Sequence, residues 1–405
     1  MPYRETRSLQ KDKQRQAAAR ANSREKRRRN SLRRLAKGAV ALAVLAAVVV
    51  AGWAGLGPVR LSALTDFART AGHRGGGFPL ESGGGNVLEA AQVGGGLALL
   101  WPTALDIYTS TAYRSVNQKQ VYADPAICAA GGRVAWFDRA SGKLALLSKT
   151  EVLYEKELPR ALFQVGLGRR GDLAAACRAE GAACEVTAWD TREKQVFHWR
   201  CEKERPAALQ PSKDGRGLGL CLVGTEQAQA YARFVEFVYS REEPVTDLRL
   251  KDAWLYGAAQ CKGCWLAVGD QAVYRIRRGA GEPEAFSYEG RALLAFAMDE
   301  SGCCAVLLED WDNRALLRVY GRNGQLEAEE GFAQRPAELA CQAGSVYLRF
   351  GDTLLRWRRS NGFRQSALPQ GVQNAYPAGG AVYVITVRSV ERAQLHWRAA
   401  DKSWF

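Results

Sequence analysis

A unit of about 41 residues recurs along most of the chain. Each unit opens on a glycine, continues through an apolar run and a few turn residues, and enters a second short run that ends near an aromatic residue. The marker glycines are spaced 36, 39, 46, 46, 39, 42 and 36 residues apart, and they are Gly96, Gly132, Gly171, Gly217, Gly263, Gly302, Gly344 and Gly380. Such a period indicates one supersecondary unit stacked repeatedly.

Each unit contains the pattern of a β-hairpin. Residues 132–138 turn through Ser141-Gly142 into residues 144–147, and residues 344–350 turn at Gly351-Asp352 into residues 354–357. Runs rich in β-branched and aromatic residues, bounded by glycine-containing turns, predict paired strands. Beyond Ala71 no stretch has a convincing amphipathic helical pattern.

Four short strands fit into a period near 41, which is the spacing of β-propeller blades. We therefore predict an all-β domain over residues 86–405, a β-propeller of seven or eight four-stranded blades, with eight favoured, preceded by one N-terminal transmembrane helix. The last unit ends at Phe405 soon after its third strand, so residues 78–81 are expected to supply the strand that closes the ring. Two β-sandwiches are the alternative.

The N-terminal region predicts a membrane anchor. Residues 38–59 form a run of 22 residues without a charge, between Lys37 and Arg60. As a helix this run would span roughly 33 Å, enough for a hydrocarbon core of about 30 Å. Residues 60–85 are predicted to be a juxtamembrane helix followed by a glycine-rich stalk. A cleaved signal peptide is the competing interpretation, but its charged region is usually shorter.

Most of the net positive charge of the protein comes from residues 1–37. These residues hold 14 of the 57 Lys and Arg side chains but only three of the 42 acidic ones. We predict a disordered cytoplasmic tail at the anionic inner leaflet, since basic residues beside an anchor orient it and bind acidic headgroups. The C-terminal domain would then be extracellular. Nucleic-acid binding is not expected, because the large domain is nearly neutral and Tyr3 is the only aromatic residue in the tail.

The architecture resembles a family of unknown function, comprising single-pass, extracytoplasmic β-propeller-like proteins of Gram-positive bacteria. The resemblance covers about residues 35–405 and rests on the basic tail and anchor, the Phe78-Pro79 entry and units such as residues 123–138. It implies a surface-exposed propeller and brings no catalytic residues. The repeats are more distantly similar to quinoprotein-like eight-bladed propellers.

The ten cysteines leave two interpretations open, disulfides outside the cell or small apolar strand residues. Cys261-Lys262-Gly263-Cys264 has redox or zinc spacing, but a zinc site requires a second pair. A structural role is favoured there. A hairpin bridge between Cys177 and Cys184 is an alternative. Adjacent Cys303 and Cys304 are expected to be buried strand residues without a metal or cofactor.

Several other clusters contain polar residues that could bind ions or take part in chemistry. Residues 309–313 place three carboxylates at a predicted turn. These could bind calcium, or they could simply be solvated at the tip of a hairpin. Residues 275–278 and 356–359 combine basic and aromatic side chains that could bind an anionic polymer or solubilise a strand edge. The histidines His198 and His396 lie beside tryptophans in strand patterns and are expected to be structural.

No catalytic, cofactor-binding or metal-binding residue is identified, and no cofactor is expected. The sequence therefore favours a non-catalytic binding or scaffolding module at the cell surface, with a protein or cell-wall partner. Propellers bind ligands where loops converge at the channel mouth. The alternatives are an enzyme acting on cell-wall glycan, which would need carboxylates converging in the channel, and a sensor that signals to the basic tail.

Overall fold

The computed structural model describes residues 65, 66, 68–70, 73–81 and 86–405. All described residues belong to one compact unit, Ser62–Phe405. The predicted basic tail (1–37) and anchor (38–59) lie outside them. Within the described part of the chain, no helix combines the length and apolar character needed to cross a membrane.

In the described part of the chain, thirty-three strands form eight antiparallel sheets. After β1 (Leu80–Glu81), blade 1 consists of β2 (Glu89–Val93), β3 (Gly96–Leu100), β4 (Ala104–Tyr108) and β5 (Arg114–Lys119). Blade 2 consists of β6 (Pro125–Ala130), β7 (Arg133–Asp138), β8 (Lys143–Leu147) and β9 (Val152–Glu157). Blade 3 consists of β10 (Leu162–Leu167), β11 (Leu173–Cys177), β12 (Cys184–Trp189) and β13 (Gln195–Cys201). Blade 4 consists of β14 (Arg205–Pro211), β15 (Gly217–Glu226), β16 (Gln229–Val238) and β17 (Thr246–Lys251).

The second half of the ring has the same order. Blade 5 consists of β18 (Leu255–Gln260), β19 (Cys264–Gly269), β20 (Ala272–Arg277) and β21 (Glu284–Ser287). Blade 6 consists of β22 (Leu293–Met298), β23 (Cys304–Glu309), β24 (Ala315–Tyr320) and β25 (Leu326–Phe332). Blade 7 consists of β26 (Glu338–Gln342), β27 (Ser345–Phe350), β28 (Thr353–Arg358) and β29 (Gly362–Ala367). Blade 8 contains β30 (Asn374–Ala378), β31 (Ala381–Ile385) and β32 (Ser389–Arg392), and β33 (Arg398–Ala399) follows. Short 3-10 turns cover Trp311–Asn313 and Lys402–Trp404.

The prediction of an eight-bladed all-β propeller is confirmed, and that of two β-sandwiches is wrong. Each marker glycine lies at the start of the second strand of a blade or in the turn just before it. Six of the eight have a positive φ, which L side chains rarely adopt. Gly96 and Gly217 instead approach a neighbouring strand so closely that a Cβ would lie 2.2 or 2.1 Å from a backbone oxygen.

The hydrophobic core lies between the blades. Eight clusters of buried apolar side chains each join two neighbouring blades, so every sheet packs on both faces. The second strand of a blade is therefore buried along its length, as in β3, β11 and β19. Continuous apolar runs, rather than alternating ones, are expected for strands covered on both sides.

We call the four strands of each blade A to D, from the channel outwards. The A strands of neighbouring blades contact one another around the ring, including β30 and β2 of the last and first blades. Because each sheet is an antiparallel meander, the A–B and C–D turns share one face of the ring, called the A–B face. The B–C turns and the connections to the next blade share the other, called the D–A face.

The ring is closed by a strand from the N-terminal side of the domain. In blade 8 the outermost strand is β1, in which Leu80 and Glu81 pair with Val390 and Ser389 of β32. Phe78 packs on Tyr383 with ring centroids 5.0 Å apart. This pairing gives the eighth blade its fourth strand. The C-terminal β33 joins the outer edge of blade 7, which the repeat did not predict.

A short N-terminal helical segment, residues 65, 66 and 68–70, contacts the ring on the A–B face. The Asp66 carboxylate accepts hydrogen bonds from Ser148 (2.8 Å) and Thr150 (2.5 Å) in the C–D turn of blade 2. It also lies 3.6 Å from the Arg133 guanidinium, and both side chains are buried. We call this set of contacts the N-terminal latch. His73 extends it by stacking on Tyr113 of blade 1.

Candidate functional site

The central channel brings the inner strands of all eight blades together. Four consecutive inner strands, β10, β14, β18 and β22, carry a register shift at their D–A end. The extra residues at these bulges are Phe163, Ala207, Tyr256 and Leu294. A β-bulge re-aims a side chain out of the regular pleat and often occurs beside a functional site.

Two of these bulges contribute to an exposed apolar surface on blades 5 and 6. Trp254 and Tyr256 are each 45% exposed, and Leu294 and Phe296 are each 36% exposed. We call these four residues the apolar crescent. Phe296 lies over Gly257 of the neighbouring inner strand, where a Cβ would come within 2.9 Å of its ring. Glycine at position 257 therefore leaves room for the phenyl ring beside blade 5.

The crescent belongs to a wider concentration of apolar side chains. Ten large hydrophobic residues in the described chain are exposed. Eight of them belong to the loops of the D–A face or to the inner strands next to that face. Besides the crescent these are Leu88, Val121, Trp311 and Val387. The exceptions are Leu326, at the A–B end of β25, and the C-terminal Phe405. Contiguous apolar patches mark interaction sites on folded proteins, so the crescent is the part of this face that most resembles one.

The opposite mouth of the channel is polar and bridged. Glu300 of blade 6 accepts a hydrogen bond from the backbone of Gly131 in blade 2 (3.0 Å) and lies 3.5 Å from Arg169 of blade 3. Lys213 of blade 4 donates to the Ser301 carbonyl (3.1 Å), and burial lowers the pKa of this lysine. A further hydrogen bond joins Gln342 of blade 7 to Gln92 of blade 1. We call these contacts the polar web.

The polar web borders a cavity of about 860 Å³ on the A–B face. Its lining includes two carboxylates, Asp299 and Glu300. Asp299 accepts hydrogen bonds from the backbone N–H groups of Ser301, Cys303 and Gly344 (2.7–3.0 Å), while Glu300 pairs with Arg169. Both acids therefore have a structural role in holding turns together. A glycan hydrolase would need two carboxylates facing a shared substrate space. Asp299 and Glu300 line the same cavity, but backbone N–H groups engage Asp299 and Arg169 engages Glu300.

The acidic turn at residues 309–313 lies on the D–A face, between β23 and β24. Glu309 forms an ion pair with Arg335, and Asp310 lies 3.4 Å from Arg291. Trp311 extends from the turn and is 83% exposed. Across the described residues, no group of three or more His, Cys, Asp or Glu side chains is placed to hold a metal ion. The calcium interpretation of this turn gains no support.

The two basic and aromatic segments are engaged in internal contacts. Arg275 and Arg278 pair with Glu284 and Glu236 at 3.2 and 2.5 Å. Arg359 pairs with Glu327 at 3.0 Å, and Arg356 lies 4.0 Å from the centre of the Trp397 ring. These contacts engage the basic side chains within the domain. The segments belong to β20 and β28, each the third strand of its blade and paired on both sides, so the interpretation as edge-strand residues is wrong.

His198 lies on β13, the outer strand of blade 3, whereas His396 lies in the segment between β32 and β33. His198 Nε2 is 2.8 Å from Glu185 on the adjacent strand, and the His396 backbone donates to Ser366. Neither lines the cavity at the polar web.

Sequence patterns did not identify the crescent, because its four residues belong to two blades and two of them occupy bulges, whose register is set by strand pairing.

No two of the ten cysteines are joined by a disulfide in this structure, and eight of them are buried. Cys304 opens β23, whereas Cys303 is the last residue of the preceding turn, so the prediction that both lie in a strand is wrong for Cys303. The hairpin bridge between Cys177 and Cys184 is also wrong. Cys177 packs between blades 2 and 3, while Cys184 packs between blades 3 and 4, on the other face of the sheet.

Comparison with solved structures agrees with this architecture. The C-terminal WD40 domain of Sif2 superposes with a TM-score of 0.53 at 11% identity, covering 80% of this chain and 99% of that one. The Dos1 propeller gives 0.53 at 12% identity, with 78% and 94% covered. The computationally designed Ika8 protein gives 0.52 at 11% identity, with 78% and 98% covered. The chain is a β-propeller. At these identities the likeness shows the fold alone.

No protein-family model matches the sequence, and no curated protein sequence matches it significantly. The resemblance to the Gram-positive family of unknown function therefore stays a prediction. Any function must be argued from the two mouths of the channel.

Proposed function

We propose that this protein is a membrane-anchored, non-catalytic binding module whose D–A face binds a partner protein outside the cell. The observation that carries the proposal is the distribution of exposed large apolar side chains. Eight of ten in the described chain belong to the D–A side, and four of them form the apolar crescent beside the channel.

The chemistry of this face favours a protein partner over a glycan or a polyanion. Tyr and Trp are enriched among the residues that dominate protein interfaces, because each buries a large area with few rotatable bonds. The nearby charges at the acidic turn are paired, with Arg291 and Arg335 compensating Asp310 and Glu309. A neutral rim around an aromatic centre suits an apolar or aromatic segment of another protein.

The anchoring part of the proposal rests on sequence. Residues 38–59 have the length of a transmembrane helix, and the basic side chains precede them, so the N-terminus would be cytoplasmic and the propeller extracytoplasmic. The N-terminal latch contacts the A–B face. Among the described residues, the latch therefore contacts the side of the ring opposite the D–A face.

Affinity capture from membranes tests the binding proposal. The tagged full chain is compared with Tyr256→Asp, which places a charge in the crescent, and with Leu326→Asp. Leu326 is a matched control because it is 43% exposed but lies on the opposite side of the ring. Proteins captured by the unsubstituted chain should be lost with Tyr256→Asp and retained with Leu326→Asp. Equal loss or equal retention for the two variants would contradict the proposal.

A second variant changes the shape of the crescent without introducing a charge. Gly257→Ala removes no crescent side chain, but its Cβ would come within 2.9 Å of the Phe296 ring and displace it. Capture should fall for this variant as well. If it fell only for Tyr256→Asp, Phe296 would not belong to the binding surface.

Topology is tested separately with protease added to intact cells. Residues beyond about position 60 should be degraded, while the basic tail is protected. Protection of the propeller would contradict the extracytoplasmic location, without affecting the assignment of the crescent as a binding surface.

A further inference from the structure

Six of the ten cysteines lie in three pairs that the fold brings together. The members of each pair belong to the same hydrophobic cluster, and these clusters lie between different blades. The pairs are Cys184 with Cys201, Cys261 with Cys264, and Cys303 with Cys341.

Cys184 and Cys201 face each other directly in the antiparallel pairing of β12 with β13. Opposite residues in such a pair have Cα atoms about 4.5–5.5 Å apart, which lies within the range that a disulfide spans. The side chains point to the same interface, between blades 3 and 4. A hydrogen bond between the two sulfurs raises the pKa of Cys184 and lowers that of Cys201.

Cys261 and Cys264 close a two-residue turn at the end of β18. The Cys261 N–H donates to the Cys264 carbonyl at 2.8 Å, and both side chains pack between blades 5 and 6. The Cys261 thiol donates to the Gly302 carbonyl at 3.3 Å and the Cys264 thiol to the Asn323 carbonyl at 3.7 Å. The neighbouring Cys261 thiol lowers the pKa of Cys264 to about 7. Both sulfurs therefore occupy one small space at the A–B face.

Cys303 and Cys341 meet across a blade boundary. Cys303 precedes the second strand of blade 6, Cys341 lies on the inner strand of blade 7, and both pack in the cluster between these blades. A hydrogen bond with Cys303 raises the pKa of Cys341. Cys304 points the other way, into the cluster between blades 5 and 6. The vicinal pair in the sequence is thus divided between two interfaces.

We propose that these three pairs, Cys184–Cys201, Cys261–Cys264 and Cys303–Cys341, are the sites at which the propeller forms disulfide bonds. Cys128, Cys177, Cys221 and Cys304 remain thiols. Cys221 has no second cysteine in its cluster. Cys128 and Cys177 share a cluster, and Cys304 shares one with Cys261 and Cys264, but Cys128, Cys177 and Cys304 lie opposite Ala135, Glu185 and Tyr320 in their strand pairs rather than opposite another cysteine. Oxidation in cells rests on the proposed extracytoplasmic location, whereas the choice of partners rests on geometry.

Each bond forms by thiol–disulfide exchange with a disulfide oxidant such as oxidised glutathione. The thiolate of one cysteine attacks a sulfur of the oxidant and releases one thiol, giving a mixed disulfide. The second cysteine then attacks the protein sulfur of that mixed disulfide and releases the other thiol. The protein loses two electrons and two protons per bond, and the oxidant is reduced to two thiols.

Peptide mapping without reduction tests the pairing. The full chain is purified from membranes after alkylation of free thiols, and a second, reduced sample is reoxidised with glutathione before the same mapping. After reoxidation we expect the three named disulfides and alkylation at Cys128, Cys177, Cys221 and Cys304. Any other pairing, including Cys177–Cys184 or Cys303–Cys304, or the absence of disulfides after reoxidation, would overturn the proposal.

The sample taken directly from cells separates the pairing from the location. The same three disulfides in both samples support both proposals. Reduced thiols in cells together with correct pairing after reoxidation support the pairing and contradict the extracytoplasmic location.

Matched single substitutions complete the test. Cys201→Ser should leave Cys184 alkylated and the other two disulfides intact, because Cys177 lies on the opposite face of blade 3 and cannot replace the lost partner. Cys177→Ser should leave all three disulfides unchanged. A new bond between Cys177 and Cys184 in the Cys201→Ser protein would contradict the assignment of faces.

Discussion

The carboxylate of Glu300, in the A–B turn of blade 6, accepts a hydrogen bond from the backbone N–H of Gly131, in the A–B turn of blade 2. Blades 2 and 6 are four positions apart in a ring of eight, so this contact crosses the channel. It depends on a close approach of turns, because a Cβ at position 131 would lie 2.0 Å from the Arg169 carbonyl oxygen. The polar web thus fixes the A–B mouth and leaves the aromatic D–A mouth for a partner.

Substitution of Gly131 tests the polar web. Gly131→Ala combines a positive φ of 56° with the contact against Arg169, so it should lower the free energy of unfolding by roughly 2–4 kcal/mol. Gly94→Ala is the control, with φ at 58° and no atom within 4 Å, and should cost about 1–2 kcal/mol. Urea denaturation of a fragment of residues 65–405 measures both. Equal losses would show that the close approach is unimportant.

The N-terminal latch should contribute to stability through its buried ion pair. Asp66→Asn leaves the Arg133 guanidinium, whose pKa is lowered by burial, without its carboxylate, and should cost about 3 kcal/mol or more. Arg69→Gln removes an ion pair with Glu151 that is about half exposed, and should have a much smaller effect because solvent screens such pairs. Comparison of their denaturation midpoints checks this. If Arg69→Gln lowered the midpoint more than Asp66→Asn, the exposed ion pair would contribute more to stability than the buried one.

The closing strand should be needed for full stability. A fragment of residues 75–405 lacks the latch helix but keeps β1, whereas a fragment of residues 86–405 lacks both. The second should be less stable than the first by roughly 2–4 kcal/mol, since it loses the packing of Phe78 on Tyr383 and the pairing of Leu80 with Val390. Calorimetry of the two fragments measures the difference. Identical transitions would mean that the ring does not depend on β1.

A buried carboxylate should make stability depend on pH. Burial raises the pKa of Asp172 to about 6, above the value of about 3.9 expected in the unfolded chain. The folded state therefore binds this proton more tightly, and stability should rise as the pH falls from about 7 to about 4, by about 3 kcal/mol from this group. Asp172→Asn should be more stable than the unsubstituted protein at pH 8, and the difference should disappear near pH 4.

Denaturation at both pH values checks this prediction. Asp214→Asn is a suitable control, because hydrogen bonds from Ser212 and the Arg216 backbone offset its desolvation and the pKa of Asp214 is lowered. Its substitution should destabilise the protein at pH 8. A stabilising effect of Asp214→Asn, or none from Asp172→Asn, would contradict the assigned environments.

The sequence was sufficient to predict the blades because each repeat carries its own local signal. The backbone has a positive φ just before the second strand of most blades, and this requires a glycine such as Gly132 or Gly344. The apolar runs that follow these glycines are long enough to identify buried strands. Blade count and the closing role of residues near Leu80 follow from the period and from a missing fourth strand.

The site could not be predicted in the same way. Tyr256 and Leu294 reach the surface through bulges, and a bulge depends on the register between two strands and has no distinct residue signature here. The contact of Glu300 with Gly131 joins residues 169 positions apart. The pairing of Cys303 with Cys341, in place of Cys304, depends on which face of the sheet each side chain occupies.

Site-specific photo-crosslinking in cells tests the central claim most directly. A photoreactive phenylalanine analogue is placed at Tyr256, in the crescent, and in a separate protein at Leu326, on the opposite side of the ring. We expect irradiation to give a discrete higher-mass product from position 256 that disappears when Phe296→Asp is added, and no such product from position 326. Products of equal yield from both positions, or a product from 326 alone, would contradict the D–A face as the binding surface.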